Sequence, residues 1–300
     1  MSTPAVDPRG LTLVFGSALM WSFGGSIARY ISIEDSWTVM FWRGVWASAF
    51  LLAFLLVRDG PRGTLSLFRN IGWPGLAVAA CFGIASGAYV VALAHTTVAN
   101  ILLIQAGVPL IAALLGWGLF REQVQAATWI AIGAVIAGVA VMVSDSFGGG
   151  GSPFGSFLAM VIALSFAIST VLTRRFAHVR MTPACCVGML FTVLLAATQA
   201  GGLAVDGTQM ALLFAFGAIN LGVGMALFVT GVRLVPAAIA ALVGTLEPVL
   251  GPIFVWLIHG ETPSARVILG GAIVIVGLTG HLGWQFFAQR RVNHAESSAR

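Results

Sequence analysis

The 300-residue chain is 59% hydrophobic and only 8% charged, where soluble domains carry about 25% charged residues. Its formal charge of +5 comes entirely from arginine, with no lysine, and the arginines are scattered singly or in pairs between apolar runs. This excludes a soluble core and argues against a nucleic-acid surface. The solvent is lipid, and the question becomes how many spans there are and which way they run.

The N-terminal MSTPAVDPRG is short and polar. The apolar run after it ends GGSIARY, a poor cleavage site, so it is read as a span and not as a signal peptide. A spanning helix needs roughly 20 apolar residues. Breaking the chain at charges and turn residues predicts ten, over 11–29, 37–57, 73–94, 97–119, 126–144, 154–173, 184–204, 208–231, 236–258 and 265–287. With the N-terminus inside, Arg9, Arg58, Arg62, Arg69, Arg121, Arg174, Arg175, Arg180, Arg233, Arg290, Arg291 and Arg300 all fall inside. Only Arg29 and Arg266 fall outside, and Arg43 lies within a span. That asymmetry sets both termini inside. Cys81, Cys185 and Cys186 sit in apolar runs and form neither a disulfide framework nor a metal site.

The stretch SDSFGGGGSP (144–153) falls at mid-chain and reads as a flexible outside linker between two five-span halves. Sliding 97–143 onto 236–282, an offset of 139, supports the division. Leu103 meets Leu242, Pro109 meets Pro248, Trp117 meets Trp256, Glu122 meets Glu261 and Gly138 meets Gly277. Five is odd, so the second half enters the membrane from the opposite side, giving an inverted repeat. The expected fold is an all-α integral membrane protein of ten transmembrane helices, built as two inverted five-helix repeats. Residues 1–144 form the first repeat, 145–153 a Gly-rich extracytoplasmic linker, 154–287 the second repeat and 288–300 a cytoplasmic tail.

Pro109 and Pro248 each remove a backbone donor and free a carbonyl four residues earlier, at Gln105 and Gly244. In lipid such carbonyls need a partner or water, so the bends should face the protein interior. Pro109, Pro248, Pro252 and Gly244 are the expected helix hinges.

With its mid-span Pro followed by Glu, the chain resembles the drug/metabolite transporter superfamily, EamA type. The two copies read QAGVPLIAALLGWGLFREQ (105–123) and GTLEPVLGPIFVWLIHGET (244–262). They are followed by the Gly-rich AIGAVIAGVAVMV and LGGAIVIVGLTG. MFWRGVWASAFLL in span 2 adds Arg43, which matches a recurring arginine of that family. As a whole the chain is most similar to the YddG-like aromatic amino-acid exporters. The resemblance implies a multi-pass protein of the bacterial plasma membrane that exports aromatic and other neutral amino acids.

The polar residues inside the spans are the candidate substrate contacts. Arg43 in span 2 and Glu247 in span 9 are intramembrane charges, which mark functional sites by default. Arg43 has the alternatives of snorkelling to the outer interface or holding helices together, and Glu247 of pairing in a fixed network. At the offset of 139, Glu247 faces Val108, so the carboxylate belongs to one copy only. An amino acid's ammonium and carboxylate would complement a lone Glu and a lone Arg. A competing role for Glu247 is to carry a proton for antiport. Trp21, Tyr89, Gln105 and Asn220 could hydrogen-bond or stack with a ligand, and Ser165 and Ser169 share one face of span 6. Trp37, Trp42, Trp73, Trp129 and Trp284 fit an interfacial belt instead.

The reading is thus a secondary transporter working by alternating access, with a small-molecule substrate and the bilayer as partners and a monomer as the expected unit. No cofactor, metal or nucleic acid is expected. Without lysine no Walker A motif exists, so ATP is not the drive. The alternatives are an exporter of another small metabolite or drug, and an intramembrane lipid-modifying enzyme. The enzyme would need clustered catalytic groups, which the spans do not offer.

Overall fold

The computed structural model describes residues 7–96, 98–121, 124–144, 152–260 and 262–298. Among them every regular element is helical. The first half comprises α1 (Pro8–Ser22), α2 (Gly24–Ala28), α3 (Ser36–Arg69), α4 (Gly72–His95), α5 (Val98–Gln105), α6 (Val108–Phe120) and α7 (Ala126–Val143). The second comprises α8 (Pro153–Arg175), α9 (Thr182–Gln199), α10 (Gly207–Phe214), a π-helical segment (Ala215–Val223), α11 (Gly224–Gly231), α12 (Ala237–Gly244), α13 (Glu247–His259) and α14 (Ala265–Ser298). Nine segments among the described residues are long and apolar enough to cross a bilayer. The tenth helix of the bundle is α4, 24 residues without Asp, Glu, Lys or Arg. The protein is therefore an all-α membrane protein whose ten spans form two inverted five-helix repeats. Glu122, Glu261 and linker residues 145–151 lie outside the described residues.

Some limits differ from the expected ones. Span 2 is expected to end at residue 57; α3 bends at Gly60, whose φ of 69° and ψ of 171° are not helical, and a further helical stretch follows to Arg69. The last helix, α14, runs past residue 287 to Ser298. Three expected spans are broken: span 1 between α1 and α2, span 4 between α5 and α6, and span 9 between α12 and α13. His95 is the last residue of α4.

The internal repeat is visible in the coordinates. The start of α5, the α5–α6 break, the end of α6 and the start of α7 recur 139 residues later in α12, α13 and α14. The packing repeats as well. The α4–α8 contact has its counterpart in α1 against the π segment and α11, and α4–α9 in α3 against the π segment. The α5 and α6 contacts with α8 answer those of α12 and α13 with α1. The α3–α9 and α7–α14 contacts map onto themselves and so lie along the pseudo-twofold axis. All of these seams join one half to the other.

Lipid tails are as apolar as the side chains, so helices associate here through close packing. At the α7–α14 seam a Cβ on Gly138 would lie 2.7 Å from the Gly270 carbonyl oxygen and 2.7 Å from Val274 Cγ2, so the two backbones touch. The inner half of the bundle is filled by a cluster that includes Val14, Leu51, Val78, Met181, Phe228, Val232 and Ile239. Beneath it Arg180, in the α8–α9 loop, donates to both carboxylate oxygens of Asp59 at 2.6 and 2.9 Å, tying the cytoplasmic end of α3 to the second half.

Leucine in place of Gly138 is expected to separate α7 from α14 and to destabilise the protein by about 1–3 kcal/mol or more, read as a lower melting temperature in detergent. A second expectation concerns Asp59, whose carboxyl is held below its usual range chiefly by the hydrogen bonds from Arg180. Stability from a depressed acid is complete above its unfolded pKa of about 3.9 and is lost as pH falls through the lower folded value. Asp59→Asn should therefore cost about 1 kcal/mol at pH 7. The difference in melting temperature from the parent should vanish well below pH 3.9.

Candidate functional site

The sequence places Pro109 and Pro248 at matching points of the two repeats, and both begin a new half-helix instead of kinking one. Each occupies the first turn, of α6 and α13 respectively, where its missing N–H would be unpaired anyway. Around the breaks the ladder tightens to i→i−3 bonds: Gly107 to Ile104, Thr245 to Leu242 and Leu246 to Val243. The N-termini of α6 and α13 therefore lie within the membrane, where their dipoles favour negative charge. Glu247 is the first residue of α13 and meets that dipole; the matching residue of α6 is Val108.

Span 1 breaks without proline. Phe23 ends α1, its ring stacks on Phe254 of α13 at 3.9 Å, and Gly24–Gly25 open α2. The carbonyls at this break are served by Asn220, which is 2% exposed. Its Nδ2 donates to the Met20 carbonyl at 2.5 Å and, more weakly, to that of Trp21 at 3.3 Å. Asn220 lies in the π-helical segment, a geometry often found at functional sites.

Between the halves these elements enclose a cavity of about 510 Å³. Its wall reaches Ala28 and Ser36, at the outer ends of α2 and α3. On the inner side it stops at Phe82, Met225 and Ala241, above the packed cytoplasmic half. Of the residues singled out in the sequence, Trp21, Arg43, Tyr89, Gln105, Asn220, Gly244, Glu247 and Pro248 all line it. Gln105 and Gly244, whose carbonyls the prolines release, are thus both at the cavity. Pro109, Pro252, Ser165 and Ser169 are not among the lining residues. The Ser169 hydroxyl donates to the Phe166 carbonyl, so it serves its own helix.

Two charges face this space. Arg43 sits about 10 Å along α3 at 1.5 Å per residue, with its guanidinium carbon 4.2 Å from the centroid of the Phe216 ring. Its Nε is buried without a hydrogen-bond partner. Glu247 and Tyr89 are close enough to act on Arg43 electrostatically. Among the described residues, however, neither Arg43 nor Glu247 has an ion-pair partner within 4.0 Å. The remaining wall includes Trp21, Phe82, Phe166 and Phe216 and also Met40, Met189 and Met225, among small and aliphatic residues such as Ala85, Leu102, Ile162 and Ala241. Trp21 packs against Phe166 and Phe228 at 6.0 and 5.3 Å. Apart from Trp21, these residues carry no sequence signal, because an apolar side chain in an apolar span looks the same whether it faces lipid, core or cavity.

A sequence model of the EamA-like transporter family matches residues 8–144 and again 153–282. The chain belongs to the EamA-like transporter family. Its two matches to one family model agree with the two structural repeats. A crystal structure described only as that of a protein is similar in fold, with a TM-score of 0.78 at 19% identity, covering 90% of this chain and 94% of that one. No curated protein matches the sequence. For an EamA-like transporter, a cavity between the repeats near mid-membrane is where a substrate would be met.

Leucine in place of Asn220 would leave the Met20 and Trp21 carbonyls poorly paired at the α1–α2 break. The expected cost is about 1–3 kcal/mol, seen as a lower melting temperature, with Asn220→Gln recovering less than the native residue because the longer amide does not fit against Gly24.

Proposed function

We propose that this EamA-like transporter exports amino acids, aromatic and other neutral ones, across the bacterial plasma membrane as a secondary transporter working by alternating access. The observation that carries the reading is the pair Arg43 and Glu247. They are opposite charges that have no ion-pair partner among the described residues, and they face one cavity whose wall includes aromatic and methionine side chains among small and aliphatic ones. A buried charge without a partner is costly, and a bound zwitterion would relieve both at once. The substrate carboxylate engages Arg43, its ammonium engages Glu247, and its side chain lies against Trp21, Phe82 and Phe166. The cavity volume falls in the usual small-molecule range of roughly 300–1,000 Å³. The YddG-like aromatic amino-acid exporters remain the subgroup that the whole sequence resembles most.

The repeated architecture supports alternating access. Residues 1–144 and 154–287 act as two units joined through the linker, and rocking one against the other closes the outer mouth and opens the packed inner half. The cytoplasmic Asp59–Arg180 pair crosses between the units and must part when the inner side opens. A second reading gives Glu247 the role of proton carrier, favoured by the absence of an Arg43 ion pair.

The test is flux in proteoliposomes containing the purified chain. Labelled tryptophan and phenylalanine are expected to move down their gradients, and Arg43→Gln and Glu247→Gln to reduce that flux at least tenfold. If a broad amino-acid panel shows no flux, the substrate assignment fails. An imposed pH gradient separates the roles of Glu247: if it drives the parent protein but not Glu247→Gln, Glu247 carries the proton. If the parent ignores the gradient, only the ligand role stands.

A further inference from the structure

The cytoplasmic end of α3 has a surface that transport through the cavity does not use. Beyond Val57 the helix continues as RDGPRGTLSLFR and turns at Gly60, whose φ of 69° and ψ of 171° break the helical path. That positive φ suits glycine, and Pro61 then opens a new helical stretch. From Pro61 to Arg69 the stretch has two faces. Thr64, 4% exposed, and Phe68 turn inward, and Phe68 packs against the core cluster of the cytoplasmic half. Arg62, Leu65, Ser66 and Arg69 recur at i, i+3, i+4 and i+7 and are all exposed.

The charge on this surface is one-sided. Asp59 is the single acid of the stretch, and both of its oxygens are taken by Arg180. Arg58, Arg62 and Arg69 are exposed and, among the described residues, form no ion pair within 4.0 Å. Arg58 leans toward the Phe54 ring, 5.9 Å from its centroid. Two large apolar side chains in this part of the chain are exposed, Leu65 at 53% and Trp73, at the start of α4, at 63%. The whole surface lies where the chain leaves the inner side of the membrane. A basic, amphipathic helix with an aromatic flank at that level meets lipid headgroups, and the cytoplasmic leaflet is the one rich in anionic lipid.

We propose that the Arg58–Arg69 segment binds anionic phospholipid of the inner leaflet, with Arg58, Arg62 and Arg69 holding the headgroup phosphate and Leu65 and Trp73 set into the acyl boundary. Arginine is suited to this because its planar fork grips phosphate bidentately. The lipid then occupies the end of α3 that the Asp59–Arg180 pair anchors to the second half.

Native mass spectrometry of the purified full-length protein, with phosphatidylglycerol or phosphatidylcholine added to neutral detergent, tests this. The parent is expected to retain phosphatidylglycerol at collision energies that strip phosphatidylcholine. The Arg58→Gln/Arg62→Gln/Arg69→Gln variant should retain about tenfold less, while Arg9→Gln, an exposed cytoplasmic arginine outside the segment, behaves as the parent. The single variant Arg62→Gln, at an exposed position, should lose retention in part and serves if the triple variant does not fold. Equal retention of the two lipids by the parent would overturn the proposal. So would unchanged phosphatidylglycerol retention in the folded variants, or displacement of the lipid by millimolar inorganic phosphate.

Discussion

Within a bilayer every backbone N–H and C=O must find a partner inside the protein, and the rest of this structure follows from where that rule is relaxed. Continuous helices such as α8 satisfy it alone. The breaks at Phe23, at Gln105–Val108 and at Gly244–Glu247 do not, and all three border the cavity between the repeats. Their loose ends are met by i→i−3 bonds, by the Asn220 amide and by the polar space itself. The cavity and the broken helices are therefore one feature: each makes the other tolerable.

The pseudo-twofold axis supplies the frame, and departures from it supply the chemistry. Both repeats carry a proline-led half-helix, so the dipoles at mid-membrane are shared. The charges are not shared, since Glu247 stands where the first repeat has Val108. The span-1 break also lacks a counterpart, because α8 is unbroken. An asymmetric ligand is better served by such a site than by two equal halves, since a symmetric pair of charges would repel at one end and leave the other bare.

Much of this was legible in the sequence, for physical reasons. Lipid demands long apolar runs, so the spans stand out, and arginine placement orients them. The offset of 139 could be read because Pro109 and Pro248, Trp117 and Trp256 are costly or bulky residues that chance seldom aligns. Arg43 and Glu247 were visible because charge is rare in hydrocarbon. The proline positions gave the location of the breaks but not their extent, since one proline kinks or severs a helix according to its neighbours. The Phe23 break has only Gly24 and Gly25 to signal it, and the π segment has no signal, because its wider winding answers to packing against α3. Arg58 ends the apolar window close to where α3 bends at Gly60, and the helical stretch beyond, where Thr64 is buried and Phe68 packs against the core, is too short and too polar to read as a span.

The glycine-on-glycine contact between α7 and α14 carries one more implication. Each repeat contributes one of the two glycines, so the halves meet here backbone to backbone, with Met142 and Val274 closing over the contact. None of residues 126–143 and 265–284 lines the cavity. The seam thus holds the two repeats together at a place the cavity does not reach, and leaves the other eight spans to shape its wall.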